Sequence, residues 1–201
     1  MQLTFSFDPN CPWTWLTSRW LVKVAALDGH TITWGSLSLP HVNAGNDVPE
    51  EWRDFMEAGR QAHRIIETLV QAGEQEAVGA FYQAYGIRKH RNEEDASPAL
   101  VRLAAEDAGL PDAVVAAADD ESLDAAVGKR TDAIVDAAGG DVGSPVLGFG
   151  PGQVFFGPII DEVPGDDAAV RLFRSLRVAT AEPFFFEIKR GRHRGPQALS
   201  S

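Results

Sequence analysis

Between Leu3 and Phe7 apolar and polar side chains alternate with a period of two, the mark of a half-buried strand. After Pro12 the period changes. Leu16, Trp20, Leu21, Val24 and Leu27 recur at threes, fours and their sums, which predicts a helix over residues 13–27 with the proline at its first position. A second strand is predicted over 31–39, where Ile32, Trp34, Leu37 and Leu39 alternate or nearly so. These three elements make a β-α-β opening, whose crossover should be right-handed.

From Pro49 to about Ala138 the pattern is helical almost throughout. Pro49-Glu50-Glu51-Trp52 reads as a first turn with acids at its positive end, Ser97-Pro98 opens a helix running to Gly109, and another runs from Glu121 to Ala138 before Gly139-Gly140. The block is too long for a loop and reads as an inserted helical subdomain. Strand character resumes at 145–150 and 153–156, separated by the turn signal Pro151-Gly152, and a last helix is predicted from Asp166 through Val170, Leu172, Phe173 and Leu176. The predicted order is β-α-β, helical insertion, β-β-α. It assigns 1–47 and 140–201 to one α/β domain and 48–139 to the insertion.

The 201 residues suffice for one full core, and no apolar run approaches the roughly 20 residues of a membrane-spanning helix. The N-terminus enters its strand within two residues and carries no export-signal pattern, so the expected location is the cytoplasm. A net charge of −11 argues against nucleic acid as the main partner. One local exception, Lys189-Arg190-Gly191-Arg192-His193-Arg194, reads as a solvated basic tail.

Cys11 is the sole cysteine, which precludes an internal disulfide. It falls where the first strand hands over to the first helix. Unpaired N–H groups and the helix macrodipole favour an anion there, so the expectation is a thiolate. Thr14, one turn on, is placed to donate its hydroxyl to that sulfur. Trp13 is a candidate surface for a flat or sugar-like ligand, whereas Trp15, Trp20 and Trp34 read as core and Trp52 as either. His30, His63 and His193 read as structural or surface residues. No histidine pair at i, i+4 stands beside a carboxylate and one thiol makes no cluster, so no metal is expected. The phenylalanines at 155, 156 and 184–186 read as core and docking surface, with Phe184-Phe185-Phe186 pinning the tail to the body or to a second subunit of a homodimer.

The element order, Cys11-Pro12 at the first helix and Gly143-Ser144-Pro145 before the third strand resemble the thioredoxin superfamily. The helical insertion resembles its DsbA-like branch, which includes the kappa-class glutathione transferases. Phe7-Asp8-Pro9, Cys11-Pro12-Trp13, Trp15, Thr17-Ser18-Arg19-Trp20, Ala108-Gly109-Leu110-Pro111, Asp141-Val142-Gly143-Ser144-Pro145, Phe155-Phe156-Gly157-Pro158 and Phe185-Phe186-Glu187 narrow the match. Together they look like the actinobacterial mycothiol-dependent reductases, also called mycothiol-dependent nitroreductases.

The resemblance implies a thioredoxin fold with an all-helical insertion over the cleft, Cys11 as nucleophile, and a low-molecular-weight thiol such as mycothiol as co-substrate. It also implies a cis Pro145 facing the sulfur, with Ser144 backbone groups turned toward the bound thiol and Pro12 beside it. By approximate match Asn43 and His90, with His41 a weaker candidate, would line the acceptor pocket. The chain departs from the family's Cys-Pro-Trp-Cys by carrying Thr14 at the second cysteine position. A dithiol cycle is then unavailable and a monothiol cycle, with release by an external thiol, remains. Two other readings stay open at this stage: kappa-type transfer or isomerisation on a bound thiol, and a non-catalytic scaffold that binds extended peptides or a partner beside Pro145. The acceptor, whether disulfide or other electrophile, is not specified.

Overall fold

The computed structural model describes residues 1–45, 47 and 49–197. Val48, the predicted first residue of the insertion, and residues 198–201 lie outside the described residues. Along the chain the elements are β1 (Gln2–Phe7), α1 (Pro12–Asp28), β2 (Thr31–Ser36), α2 (Leu39–Val42), α3 (Arg53–Gln71), α4 (Gln75–Gly86), α5 (Pro98–Asp107), α6 (Asp112–Val115), α7 (Asp124–Ala137), β3 (Val146–Gly148), β4 (Val154–Phe156) and α8 (Asp166–Thr180). The strands form one sheet in the order β2-β1-β3-β4. β1 and β2 are parallel from Gln2↔Thr31 to Phe7↔Ser36, and the β1–β3 and β3–β4 pairs are antiparallel. This is the thioredoxin fold, with the α2–α7 helices between its two halves. Among the described residues no helix is long and apolar enough to cross a membrane.

The first helix begins and ends where the pattern places it, within a residue, because Pro12 opens it and Gly29, at φ +68°, closes it with its N–H on the Ala25 carbonyl. The second strand is shorter than the expected 31–39. Leu37 still donates to the Phe7 carbonyl, but Ser38 then caps α2 by accepting from the His41 N–H, and Pro40 has no donor to offer a ladder. The third strand shrinks from 145–150 to three residues because Gly150, at φ +152°, already belongs to the turn. Inside the helical block the periodicity did not separate α4 or the wide turn Ile87–Arg91 that follows it.

The core is aromatic at the junction of sheet and insertion. Phe7 stacks on Tyr82 of α4 with ring centroids 3.8 Å apart, and Trp34 meets Phe5, Phe7 and Tyr82 edge-on. Trp15 of α1 comes close to α4 at Gly86, where a Cβ would fall 2.1 Å from its ring. Trp20, fully buried, packs near Phe173 of α8 and donates its indole N–H to the Ala169 carbonyl at 3.1 Å. The insertion carries two buried charges, each matched: Arg64 forks onto Asp124 at 2.7 and 2.8 Å, and Glu67 receives Arg130 at 2.6 and 2.9 Å. These pairs join α3 to α7.

Candidate active site

Cys11 is the residue that β1 delivers to the start of α1. Its backbone is extended, its N–H donates to the Asp8 carbonyl, and its own carbonyl accepts the helix's first bond from Trp15 at 3.0 Å. The side chain is half-buried. The Thr14 hydroxyl and the backbone N–H groups of Thr14 and Trp13 surround the sulfur and favour its anion. Across from it the Ser144–Pro145 bond is cis, and the Ser144 carbonyl lies 3.9 Å from Sγ, within reach of a thiol S–H donor. This differs from the expected outward-facing carbonyl: in this structure that acceptor is directed at Cys11 itself.

Beneath the sulfur, two hydroxyls form a chain. The Asp8 N–H donates to Ser144 Oγ at 2.8 Å, and Ser144 Oγ lies 2.8 Å from Thr14 Oγ1. With one acceptor site of Ser144 taken by Asp8, the serine proton is free to go to Thr14, which leaves the Thr14 proton for the sulfur. The chain therefore has an arrangement suited to a thiolate (donor onto Sγ) and one suited to a thiol (S–H onto the Ser144 carbonyl).

The expected thiolate is not favoured in the resting protein. Burial pushes the Cys11 thiol above its ordinary range, and the nearby Asp8 carboxylate adds to the rise, while the Thr14 hydroxyl and the N–H groups of Thr14 and Trp13 pull it down without prevailing. The helix N-terminus supplies its donors, but desolvation of a half-buried sulfur outweighs them. For thiol exchange the cost is partial. A thiol of higher proton affinity is ionised less often near neutral pH, but its thiolate is intrinsically more nucleophilic.

The three residues before Cys11 are each held by a different residue of the insertion. Asp8, fully buried, accepts from the Asn10 and Leu39 N–H groups at 2.8 Å each, and its Oδ2 lies 3.1 Å from His63 Nε2, whose Nδ1 lies 2.5 Å from Ser36 Oγ. The Pro9 carbonyl lies 2.8 Å from His90 Nε2. Asn10 donates to the Phe55 carbonyl at 3.0 Å and accepts the Tyr85 hydroxyl at 2.6 Å. Sequence reasoning missed Asp8, Asn10 and His63. The available signal was Asp8 itself, an acid directly after a buried strand, which requires partners.

His90 is therefore corrected from a pocket residue to a loop anchor. Because a carbonyl only accepts, Nε2 carries the proton and its donor is spent on Pro9. The ring stacks on Trp15 at 5.9 Å, and burial lowers its pKa to about 4. Asn43 is exposed and donates to the Leu39 carbonyl, closing α2, while His41 lies 2.8 Å from Asp132 of α7. Both line a cavity of about 300 Å³ between α2, α3 and α7, together with Pro40, Met56, Arg60 and His63. His63 thus touches the cavity on one side and Asp8 on the other. Pro12 is exposed at the head of α1, and Trp13 is half-buried beneath Arg192, whose guanidinium carbon is 5.2 Å from the ring centroid. The basic run is thus more than a solvated tail. Trp52 is exposed and meets Phe55 edge-on, and among residues 184–186 only Phe185 is packed, 6.5 Å from Phe155. Among the described residues no group of three or more His, Cys, Asp or Glu side chains is gathered to hold a metal.

The family model described as Rv2466c-like, mycothiol-dependent nitroreductase Rv2466c, matches residues 10–190. The chain belongs to that family. Membership places it among thiol-dependent oxidoreductases and argues against a purely scaffolding role. Protein Rv2286c of Mycobacterium tuberculosis, an uncharacterized protein, is 30% identical over 187 residues, covering 92% of this chain and 80% of that one. Among solved structures, DsbA oxidoreductase SCO1869 of Streptomyces coelicolor, described as probable, aligns over 100% of this chain and 99% of its own with a TM-score of 0.56 at 16% identity. The cytosolic disulfide reductase DsbM of Pseudomonas aeruginosa aligns over 89% and 100% with a TM-score of 0.52 at 16% identity. A 2-hydroxychromene-2-carboxylate isomerase aligns over 89% and 95% with a TM-score of 0.56 at 18% identity. At these identities the structures attest the fold.

Proposed function

We propose that the protein is a monothiol oxidoreductase in which Cys11 exchanges with a low-molecular-weight thiol, mycothiol by family, in the cytoplasm. The observation that carries this reading is the half-buried Cys11 set between the Thr14 hydroxyl and the Ser144 carbonyl, with no second cysteine to resolve it.

In the first step Cys11 gives up its proton, and the thiolate attacks one sulfur of a mixed disulfide R–S–S–R′. The substrate S–S bond breaks, R′–S⁻ leaves and takes up a proton, and Cys11–S–S–R forms. In the second step a thiolate R–S⁻ attacks the R-side sulfur, which releases R–S–S–R and returns Cys11 as thiolate. The Thr14 hydroxyl stabilises that leaving thiolate as it reappears, and the Ser144 hydroxyl reorients behind it. Asp8, Asn10 and Pro9, each held by the insertion, keep the nucleophile's loop in place. Pro12 and Trp13 border the approach to the sulfur, and Asn43 and His41 offer polar groups in the neighbouring cavity for the acceptor or the thiol's sugar. Residues 48–139 form the subdomain that supplies these anchors.

Turnover with a mycothiol mixed disulfide tests the reading. Cys11→Ser is expected to lose activity to the background rate while keeping the native thermal transition. Retained turnover in that variant would refute the nucleophile assignment.

A further inference from the structure

The basic run returns to the active site instead of trailing from it. Phe185 packs near Phe155, and farther on Arg194 is ion-paired with Asp161 and lies 3.6 Å from Glu162. The Gln197 N–H then donates to the Asp161 carbonyl at 2.7 Å. Between these two attachments Arg192 sits over Trp13, two residues from the nucleophile. The family match ends at residue 190, so Arg192 and Arg194 lie just past it.

The charges of the two arginines are used differently. Arg194 is neutralised by the carboxylates it touches. Among the described residues no such carboxylate pairs with Arg192, which is exposed and rests on the indole face, a contact that fixes a guanidinium without consuming its charge. In a molecule of net charge −11 this is a positive point held on the ring two residues after the nucleophile, on a protein whose general field would repel an anion. The guanidinium fork matches a carboxylate in two hydrogen bonds. Cys11 and Trp13 are each only partly exposed, which suits a small molecule better than a protein surface.

We propose that Arg192 is a specificity-determining residue that selects, as the disulfide attacked by Cys11, a small molecule whose leaving half carries a carboxylate. The proposal rests on the thiol-exchange reading above and adds the charge of the acceptor to it. As the acceptor's S–S bond breaks, the departing thiolate and its carboxylate both lie in the field of a fixed cation. A neutral acceptor gains only from the first.

The test uses the full chain and two probe disulfides, the dianionic 5,5′-dithiobis(2-nitrobenzoate) and the neutral 2,2′-dithiodipyridine, with the second-order rate of Cys11 modification read for each. Arg192→Gln is expected to lower the anionic-to-neutral rate ratio by about threefold to tenfold, and raising the salt from about 0.02 M to about 0.5 M should lower the wild-type ratio by a similar factor. Arg192→Lys should keep most of the salt-sensitive ratio. An unchanged ratio in Arg192→Gln overturns the proposal. So does an equal rise in both rates, which would make the segment a simple cover. If Cys11 of the wild-type protein reacts with neither probe, the thiol-exchange reading fails and the selection fails with it.

Discussion

On the inner side of Cys11 the contacts are buried and joined to one another: Asp8 holds the Asn10 and Leu39 backbone, Ser144 links Asp8 to Thr14, and His63 bridges Asp8 to Ser36. On the outer side a stretch of exposed residues reaches the same cysteine's neighbourhood through one arginine on one indole and an ion pair farther along. The inner side is fixed by the fold, so it sets the sulfur's proton affinity and orientation. The outer side contributes little to folding and can act on what approaches. Reactivity and selection are thereby given to different materials around one atom.

The harshest way to break the contrast is to attack the inner side at His63. His63→Leu leaves the buried Asp8 carboxylate without its ring partner and is expected to cost about 3–5 kcal/mol in urea unfolding. A loss under about 1 kcal/mol would mean that Asp8 is satisfied by its two backbone donors alone.

His90 gives the next effect, and its sign follows from burial. Its pKa is lowered to about 4 from an ordinary 6.5, so its contribution to stability is fully present above about 6.5 and is lost as pH falls toward 4, where the unfolded chain takes the proton first. The loss over that window is on the order of 3 kcal/mol. Unfolding measured at several pH values should show this slope in the wild-type protein and a shallower one in His90→Gln.

Thr14→Val sharpens the account at the sulfur. Losing a hydroxyl donor onto the thiolate should slow iodoacetamide alkylation of Cys11 by about threefold to tenfold at pH 8 and move its pH midpoint upward. An unchanged midpoint would show that the Thr14 proton stays on Ser144. The smallest effect belongs to the outer side. Deleting residues 190–201 should change unfolding free energy by no more than about 0.5 kcal/mol, because the side chains described among them are exposed or only half-buried.

The sheet and its flanking helices were legible because their signals are local. Pro12, Ser97-Pro98, Gly139-Gly140 and Pro151-Gly152 punctuate the chain at or beside the observed ends. The end of β2 was less so, since Leu37 and Leu39 keep alternating while Ser38 and Pro40 already turn the chain. At the site, Cys11 and Thr14 were named from their positions along the chain, and Ser144 from the resemblance of Gly143-Ser144-Pro145 to the superfamily's cis-proline turn. His63 was passed over because its partner Asp8 lies 55 positions away, and a lone histidine in a helix carries no mark of that contact. The same distance problem explains His90, whose likeness to a pocket residue gave no hint that Pro9 would take its donor. The raised Cys11 pKa was illegible for a different reason: a helix N-terminus can be read from sequence, but the desolvation that opposes it comes from the packed surroundings. Arg192 was read as solvated because a basic run lacks the apolar residues that ordinarily announce a contact.

The central claim, a single cysteine that carries one half of a small disulfide between two exchanges, is tested most directly by intact mass. The protein incubated with oxidised mycothiol should gain one mycothiol moiety less one hydrogen in exchange for the thiol proton. The adduct should be absent in Cys11→Ser and should be lost again on adding reduced thiol. A protein that takes up iodoacetamide at Cys11 yet forms no such adduct would contradict the account.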